Sequence, residues 1–189
     1  MSSTPTLYSL TLALSSAIRF GLALLALSTV PAAFGQEAAL EDKHILGPTA
    51  EVDAVEGNLK FEARVDTGAA TTSVHVDKVV VEEASPEMKE NVGKRVKFRI
   101  GNHKGRREWV VKKIVDVGVV KTSERQEERY KVNLTLKWKD VKKRVLVTLN
   151  DRSRMEYALL LGRNFLEDDF LVDVGLEDDD NSAEPLKKL

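Results

Sequence analysis

Apolar and polar residues alternate one for one along several short stretches of this chain, and no long helix is required anywhere. Leu59, Phe61, Ala63 and Val65 interleave with Lys60, Glu62 and Arg64. Val96, Phe98 and Ile100 do the same with Arg95, Lys97 and Arg99, as do Tyr130, Val132, Leu134, Leu136 and Trp138 with their polar neighbours. A period of two sends one face of an extended strand into a core and the other into water. Val145, Val147 and Leu149 continue the pattern, and the unbroken apolar run Ala158–Leu161 fits a buried central strand. Turn signals separate these stretches. Gly47-Pro48 breaks a first strand within residues 44–55, and Glu56-Gly57-Asn58, Gly101-Asn102-His103-Lys104-Gly105 and Lys139-Asp140 each reverse the chain. Residues 71–81 and 109–120 read as further strands, residues 82–91 as a short helix or loop, and residues 121–128 and 150–154 as polar loops. Residues 164–168 read as a short helix and Phe170-Leu171-Val172 as a last strand. Many short strands with frequent turns predict an all-β fold, a small closed barrel with at most short helices.

At 189 residues the chain can bury one substantial core. The two signs of charge are mixed and the net charge is −1, so no global field points to nucleic acid or membrane. Cysteine is absent, which excludes disulfides, thiol catalysis and cysteine-based zinc sites. Residues 1–35 differ from the rest. Arg19 is their single charge, an apolar core follows from Phe20 to Leu27, and Ala33 and Gly35 occupy positions −3 and −1 of a cut after Gly35. This reads as a secretory signal peptide. An uncleaved anchor is the alternative, because Leu7–Ala17 could lengthen the span. Either way the domain is expected to be exported, to the periplasm in a bacterium. Residues 36–43 read as a flexible entry, 44–175 as the barrel domain, and 176–189 as an acidic disordered tail.

The alternating strand that ends at Val65 runs into Asp66-Thr67-Gly68. Alone, that tripeptide is a common turn in which the aspartate side chain bonds its own backbone. It also suits hydrolysis by paired aspartates. Two carboxylates about 3 Å apart cannot both ionise, so one holds a proton and acts as acid while the other acts as base. Gly68 lets the backbone come close to a second loop and to water, and the Thr67 hydroxyl can tie one loop to another.

Asp66-Thr67-Gly68-Ala69, followed downstream by Leu160-Leu161-Gly162-Arg163-Asn164, resembles the retropepsin family of aspartic proteases. More narrowly, Ala63–Ala69 with Thr71 and His75, then Asp151-Arg152-Ser153 with Met155 and Tyr157, then Leu161-Gly162-Arg163, resembles a bacterial retropepsin-like group. That group is often labelled "ATP-dependent zinc protease" and is associated with the ribosomal-protein-S6 glutamate ligase system. Ala70 departs from it, since the group often carries a basic residue there. The resemblance implies a retropepsin-like barrel and an aspartic-type peptidase that hydrolyses peptide or glutamyl bonds, which the leader would make an exported one. With one Asp-Thr-Gly per chain it implies a homodimer, in which Asp66 of each copy meets its mate on a two-fold axis. Asp66, Thr67 and Gly68 are then catalytic, and Ala69 adds backbone beside the water and substrate. Gly162 and Arg163 support the loop, Arg163 by pairing with a carboxylate unless it is an ordinary surface residue.

The hairpin through Gly101–Gly105 is a candidate for the flap over substrate, with His103 and Arg106 as substrate-binding residues; a plain surface hairpin is the alternative. The basic stretch 94–113 is either a solvated strand face or a means of selecting an acidic peptide. Nucleic acid is not expected as a partner, since aromatic residues there are few. No cofactor and no metal are expected: His44, His75 and His103 form no His-Glu-x-x-His pattern, and no Walker-type loop is present. A non-catalytic peptide-binding barrel and a zinc-dependent hydrolase built around His75 are the alternatives.

Overall fold

Strand β3 (Leu59–Val65) buries every second residue and exposes the others, as its sequence predicts. The computed structural model containing it describes residues 43–121 and 126–176, and the expectations for the leader, for most of the entry segment and for the tail beyond Leu176 lie outside the described residues. Before β3 come β1 (His44–Leu46) and β2 (Thr49–Ala54), split at Gly47-Pro48 as expected. A 3₁₀ turn (Val55–Gly57) and Asn58 in the left-handed region, at φ 45°, reverse the chain into β3. After it come β4 (Thr72–Val81), β5 (Arg95–Gly101), β6 (Arg107–Lys121), β7 (Gln126–Trp138), β8 (Val141–Asn150), β9 (Leu159–Leu161), one helical turn α1 (Arg163–Leu166) and β10 (Phe170–Val172).

Pairing closes the sheet on itself. Going from β2 to β3, β9, β4, β8 and β7 returns to β2. All members are antiparallel pairs except β3 with β9 and β4 with β8. The inner half of β4 is buried from Thr72 to Val76; Thr72–His75 pair with β8, and Ser73 and Val74 also with β9. Its outer half leaves the ring at a bulge around Asp77 and pairs with β5. A bulge bends a strand and re-aims it, which is how one strand serves both the ring and the outer sheet β4–β5–β6. The long β6 and β7 make the same transfer, with a register shift between Ile114 and Asp116.

The core is mostly aliphatic, with Phe61, Phe98 and Trp138 among its largest fully buried side chains. One end is closed by rings: His44 and Phe170 pack on Trp138, and Phe165 of α1 stacks on Phe170 at 5.3 Å. Glu56 plugs the 3₁₀ turn into β7. Its carboxylate accepts from the Thr135 N–H and hydroxyl and pairs with Lys112 at 2.7 Å. Strands β6 and β7 run further into residues 121–128 than the charged sequence suggested: Lys121 ends β6 and Gln126–Glu128 open β7. Residues 82–91 form a loop ending in a 3₁₀ turn at Met88–Asn91. Among the described residues no helix is long and apolar enough to cross a membrane.

Candidate active site

Asp66 leaves the ring at the end of β3, where its N–H donates to Leu161 O at 3.0 Å across the parallel β3–β9 pair. Its Oδ1 accepts from Gly68 N at 2.9 Å and Ala69 N at 3.1 Å. Among the described residues Oδ2 accepts no hydrogen bond. The turn chemistry expected of Asp-Thr-Gly is therefore present and uses one oxygen, leaving the other for solvent.

The second loop clasps the first. Arg163 N donates to Ala69 O at 2.8 Å, and Gly162 N donates to the Thr72 hydroxyl at 3.1 Å. That hydroxyl and the Thr72 N–H both donate to Asn164 Oδ1 at 2.9 Å, and Asn164 Nδ2 donates to Leu146 O. Gly162 lies so close to the Asp66 loop that a Cβ there would meet Thr71 C at 2.6 Å and Ala69 O at 2.9 Å. Arg163 Nη1 donates to the carbonyls of Thr67 and Gly68, each at 3.0 Å. Arg163 thus braces the loop through carbonyl oxygens and not through the carboxylate the sequence suggested. Thr72 and Asn164 hold the two loops together, and neither was singled out as a site residue. Their signal was faint: Thr72-Ser73 are polar residues at the start of a strand whose next residues are buried.

A cavity of about 420 Å³ opens beside this loop. Ala69, Ala70 and Thr71 form one wall, Gly118–Val120 of β6 the other, and Arg129, Lys131 and Arg152 project into its lining. The Ser73 hydroxyl and Arg129 Nε, both in this lining, are buried and find no hydrogen-bond partner among the described residues. Arg152 is itself 9% exposed; its Nε donates to Tyr157 O at 2.9 Å. Burial, aided by the neighbouring Arg129 charge, makes its guanidinium a weaker base than usual, while the Asp66 carboxylate acts the other way.

The structure does not bring His103 and Arg106 to Asp66. Asn102 Nδ2 donates to Lys60 O and Arg106 reaches Asn58 O, at the start of β3. Asp66 stands six residues further along, roughly 20 Å at the rise of a strand. The β5–β6 turn is docked there, and His103 lines a separate groove with Lys60, Glu62 and Tyr157. The element that borders the Asp66 loop is the far end of the β6–β7 hairpin. The sequence offered the Gly101–Gly105 hairpin as a flap or as a plain surface hairpin, because nothing in it reveals that the turn residue Asn102 is tied to β3.

His75 is buried and its Nδ1 accepts from Arg152 N at 2.9 Å, so it anchors the loop that carries Arg152. Burial holds its imidazole below the usual value of 6.5, with the Asp151 carboxylate pulling the other way. A base depressed by folding is protonated first in the unfolded chain. Stability is therefore full above the unfolded value and declines as pH falls through 6.5 towards the folded value. Wild type should lose more stability between about pH 7.5 and about pH 5 than His75→Asn, whose amide oxygen can accept the same bond without titrating. Equal losses in urea unfolding would remove His75 as the cause. Among the described residues no three His, Asp or Glu side chains gather as a metal would require, so the donors present do not fit a zinc site.

The chain matches the family of RimB-like proteins, described as retropepsin-like aspartic endopeptidase RimB, over residues 45–179. The chain belongs to that family. The RimB-like barrel is also similar to the crystal structure of protein Lpg0085, a DUF785 protein with unknown function from Legionella pneumophila subsp. pneumophila str. Philadelphia 1. The two are 27% identical with a TM-score of 0.58, over 71% of this chain and 96% of that one. No curated protein matches it. In RimB-like terms, β3 and β9 deliver Asp66 and Gly162 to one end of the ring, as the Asp-Thr-Gly and Leu-Leu-Gly motifs of the sequence led one to expect.

Proposed function

We propose that this RimB-like protein is an exported aspartic-type peptidase whose active site forms between two copies of the chain. The observation that carries the reading is the Asp66 turn itself: Oδ1 is fixed by two backbone N–H groups and Oδ2 is left unengaged. A carboxylate so held is oriented in advance and needs one partner carboxylate to share a proton. A two-fold axis supplies that partner from the same residue. One Asp66 takes a proton from water, the water attacks the peptide carbonyl, and the other Asp66 gives its proton to the carbonyl oxygen. The first Asp66 then passes its proton to the amide nitrogen as the C–N bond breaks, and the second takes one back from the diol as the new carboxyl forms. Gly68 and Ala69 keep their N–H groups on Asp66, and Thr67 and Arg163 hold the turn still.

A shared dyad makes a distinctive mixing prediction. An equimolar mixture of wild type and Asp66→Asn, after subunit exchange, should keep about a quarter of wild-type cleavage at equal total protein, because only pairings of two intact copies are active. Retention of one half would mean independent sites and would end the proposal.

The substrate class we assign is a peptide with an acidic side chain beside the scissile bond. Arg129, Lys131 and Arg152 line the cavity, Arg129 and Lys131 also pairing with Glu127 and Asp116 at 2.9 Å each. The Ser73 hydroxyl and Arg129 Nε, without partners among the described residues, are the donors a substrate carboxylate would use. Arg129→Gln should lower kcat/KM on a glutamate-containing peptide by about tenfold, the worth of one charge-assisted hydrogen bond, and leave the glutamine counterpart within about twofold. An equal loss on both peptides would reassign Arg129 to structure. Export rests on the Phe20–Leu27 core and the Ala33/Gly35 spacing.

A further inference from the structure

The outward face of the β4–β5–β6 sheet has no part in the cleft. Register places Lys78 opposite Arg99, Val80 opposite Lys97, Arg99 opposite Trp109, Lys97 opposite Val111 and Arg95 opposite Lys113, all on one side, since Val96, Phe98, Ile100 and Val110 point inward. That side is basic and also apolar. Val80 is 58% exposed, Trp109 43% and Val111 44%. Lys97 Nζ lies 4.8 Å and the Arg99 guanidinium 5.7 Å from the Trp109 ring centre. Its carboxylates are few: Asp77 is taken up by Arg99 and Arg107, and Glu82 lies 3.4 Å from Arg95.

From this juxtaposition we infer that the face docks on an anionic lipid bilayer. Register sets these side chains side by side on one face of the sheet, as contact with a membrane surface needs. Tryptophan with flanking cations is suited to the headgroup layer, where its ring is buried and the ammonium and guanidinium groups meet phosphates. The exposed valines beside it gain from the same burial. A nucleic acid fits less well, because Lys97 and Arg99 already occupy the Trp109 ring face that a base would stack on. An acidic polypeptide would match the charge and leave Val80 and Val111 in water. The near-zero net charge of the whole chain is no obstacle, since screening confines the attraction to this patch. The inference does not depend on catalysis.

The full chain would be titrated with vesicles of phosphatidylcholine alone and of phosphatidylcholine with phosphatidylglycerol, reading tryptophan emission and co-sedimentation. Of the two tryptophans Trp138 is 1% exposed, so a shift reports Trp109. Emission should move to the blue on anionic vesicles and not on neutral ones, and about 0.5 M salt should reverse it. Trp109→Phe should abolish the shift, and Lys97→Gln should weaken sedimentation on anionic vesicles about fivefold. The N-terminal apolar stretch would bind both compositions equally and ignore Lys97. Equal binding to both vesicles, indifference to Lys97→Gln, or a shift produced by an oligonucleotide or polyglutamate at lower concentration than by vesicles would each overturn the inference.

Discussion

Replacing Asp66 by Asn should abolish the proposed peptide cleavage, by at least about 10³-fold, while leaving the fold and the proposed dimer intact. The reason for expecting so clean a separation is the division of labour between its oxygens. Oδ1 does the structural work, accepting from Gly68 N and Ala69 N. An asparagine oxygen accepts the same two bonds, so the turn has no cause to open. What disappears is the proton: an amide cannot share one with a second carboxylate or take one from water. The pair of measurements is turnover of a peptide library by mass spectrometry and sedimentation of wild type beside the variant. Cleavage that persists in the variant would refute the aspartate mechanism. A variant that is inactive because it has unfolded would be recognised by its melting curve and would point to Oδ1 geometry instead.

Gly162→Ala should be the most damaging small substitution near the site. Its added methyl would sit 2.6 Å from Thr71 C and 2.9 Å from the oxygens of Ala69 and Thr71. These are backbone atoms, and they cannot swing aside as a lysine end can. The loops would have to part, weakening the bonds from Gly162 N to Thr72 and from Arg163 N to Ala69. Overpacking of this kind destabilises by about 3 kcal/mol or more, which for a chain of this size lowers Tm by roughly 6–12 °C. Gly68→Ala is the control: its methyl would meet only Asp66 Oδ1, at 3.2 Å. It should stay within about 1 kcal/mol of wild type. Equal melting of the two variants would show that the loops are not locked against each other.

The barrel was largely legible because alternation is a local signal and burial follows it. Leu59–Val65 and Val96–Ile100 read correctly for that reason. Where residues 121–128 read as loop, Lys121 ends β6 and Gln126–Glu128 begin β7, and a polar strand resembles a loop when neither face is apolar. The Asp66 turn was legible from three residues. Of its supports, Gly162 and Arg163 were named through the family resemblance, but the role of Thr72 was not, because its bonds to Asn164 and Gly162 span 92 and 90 residues and carry no spacing rule. The same blindness placed His103 and Arg106 over the cleft. A single side-chain bond, from Asn102 to Lys60, decides which way that turn leans.

Strand β9 has three residues, and both of its neighbours were synthesised long before it. Until it slots between them, Asp66 lacks the Leu161 oxygen, and Ala69 and Thr72 lack their partners from the last quarter of the chain. A ribosome that stalls or terminates before residue 159 therefore releases a product without a working turn. Under the proposed function, cleaving capacity would arrive only with completion of the chain, and unfinished copies would carry none.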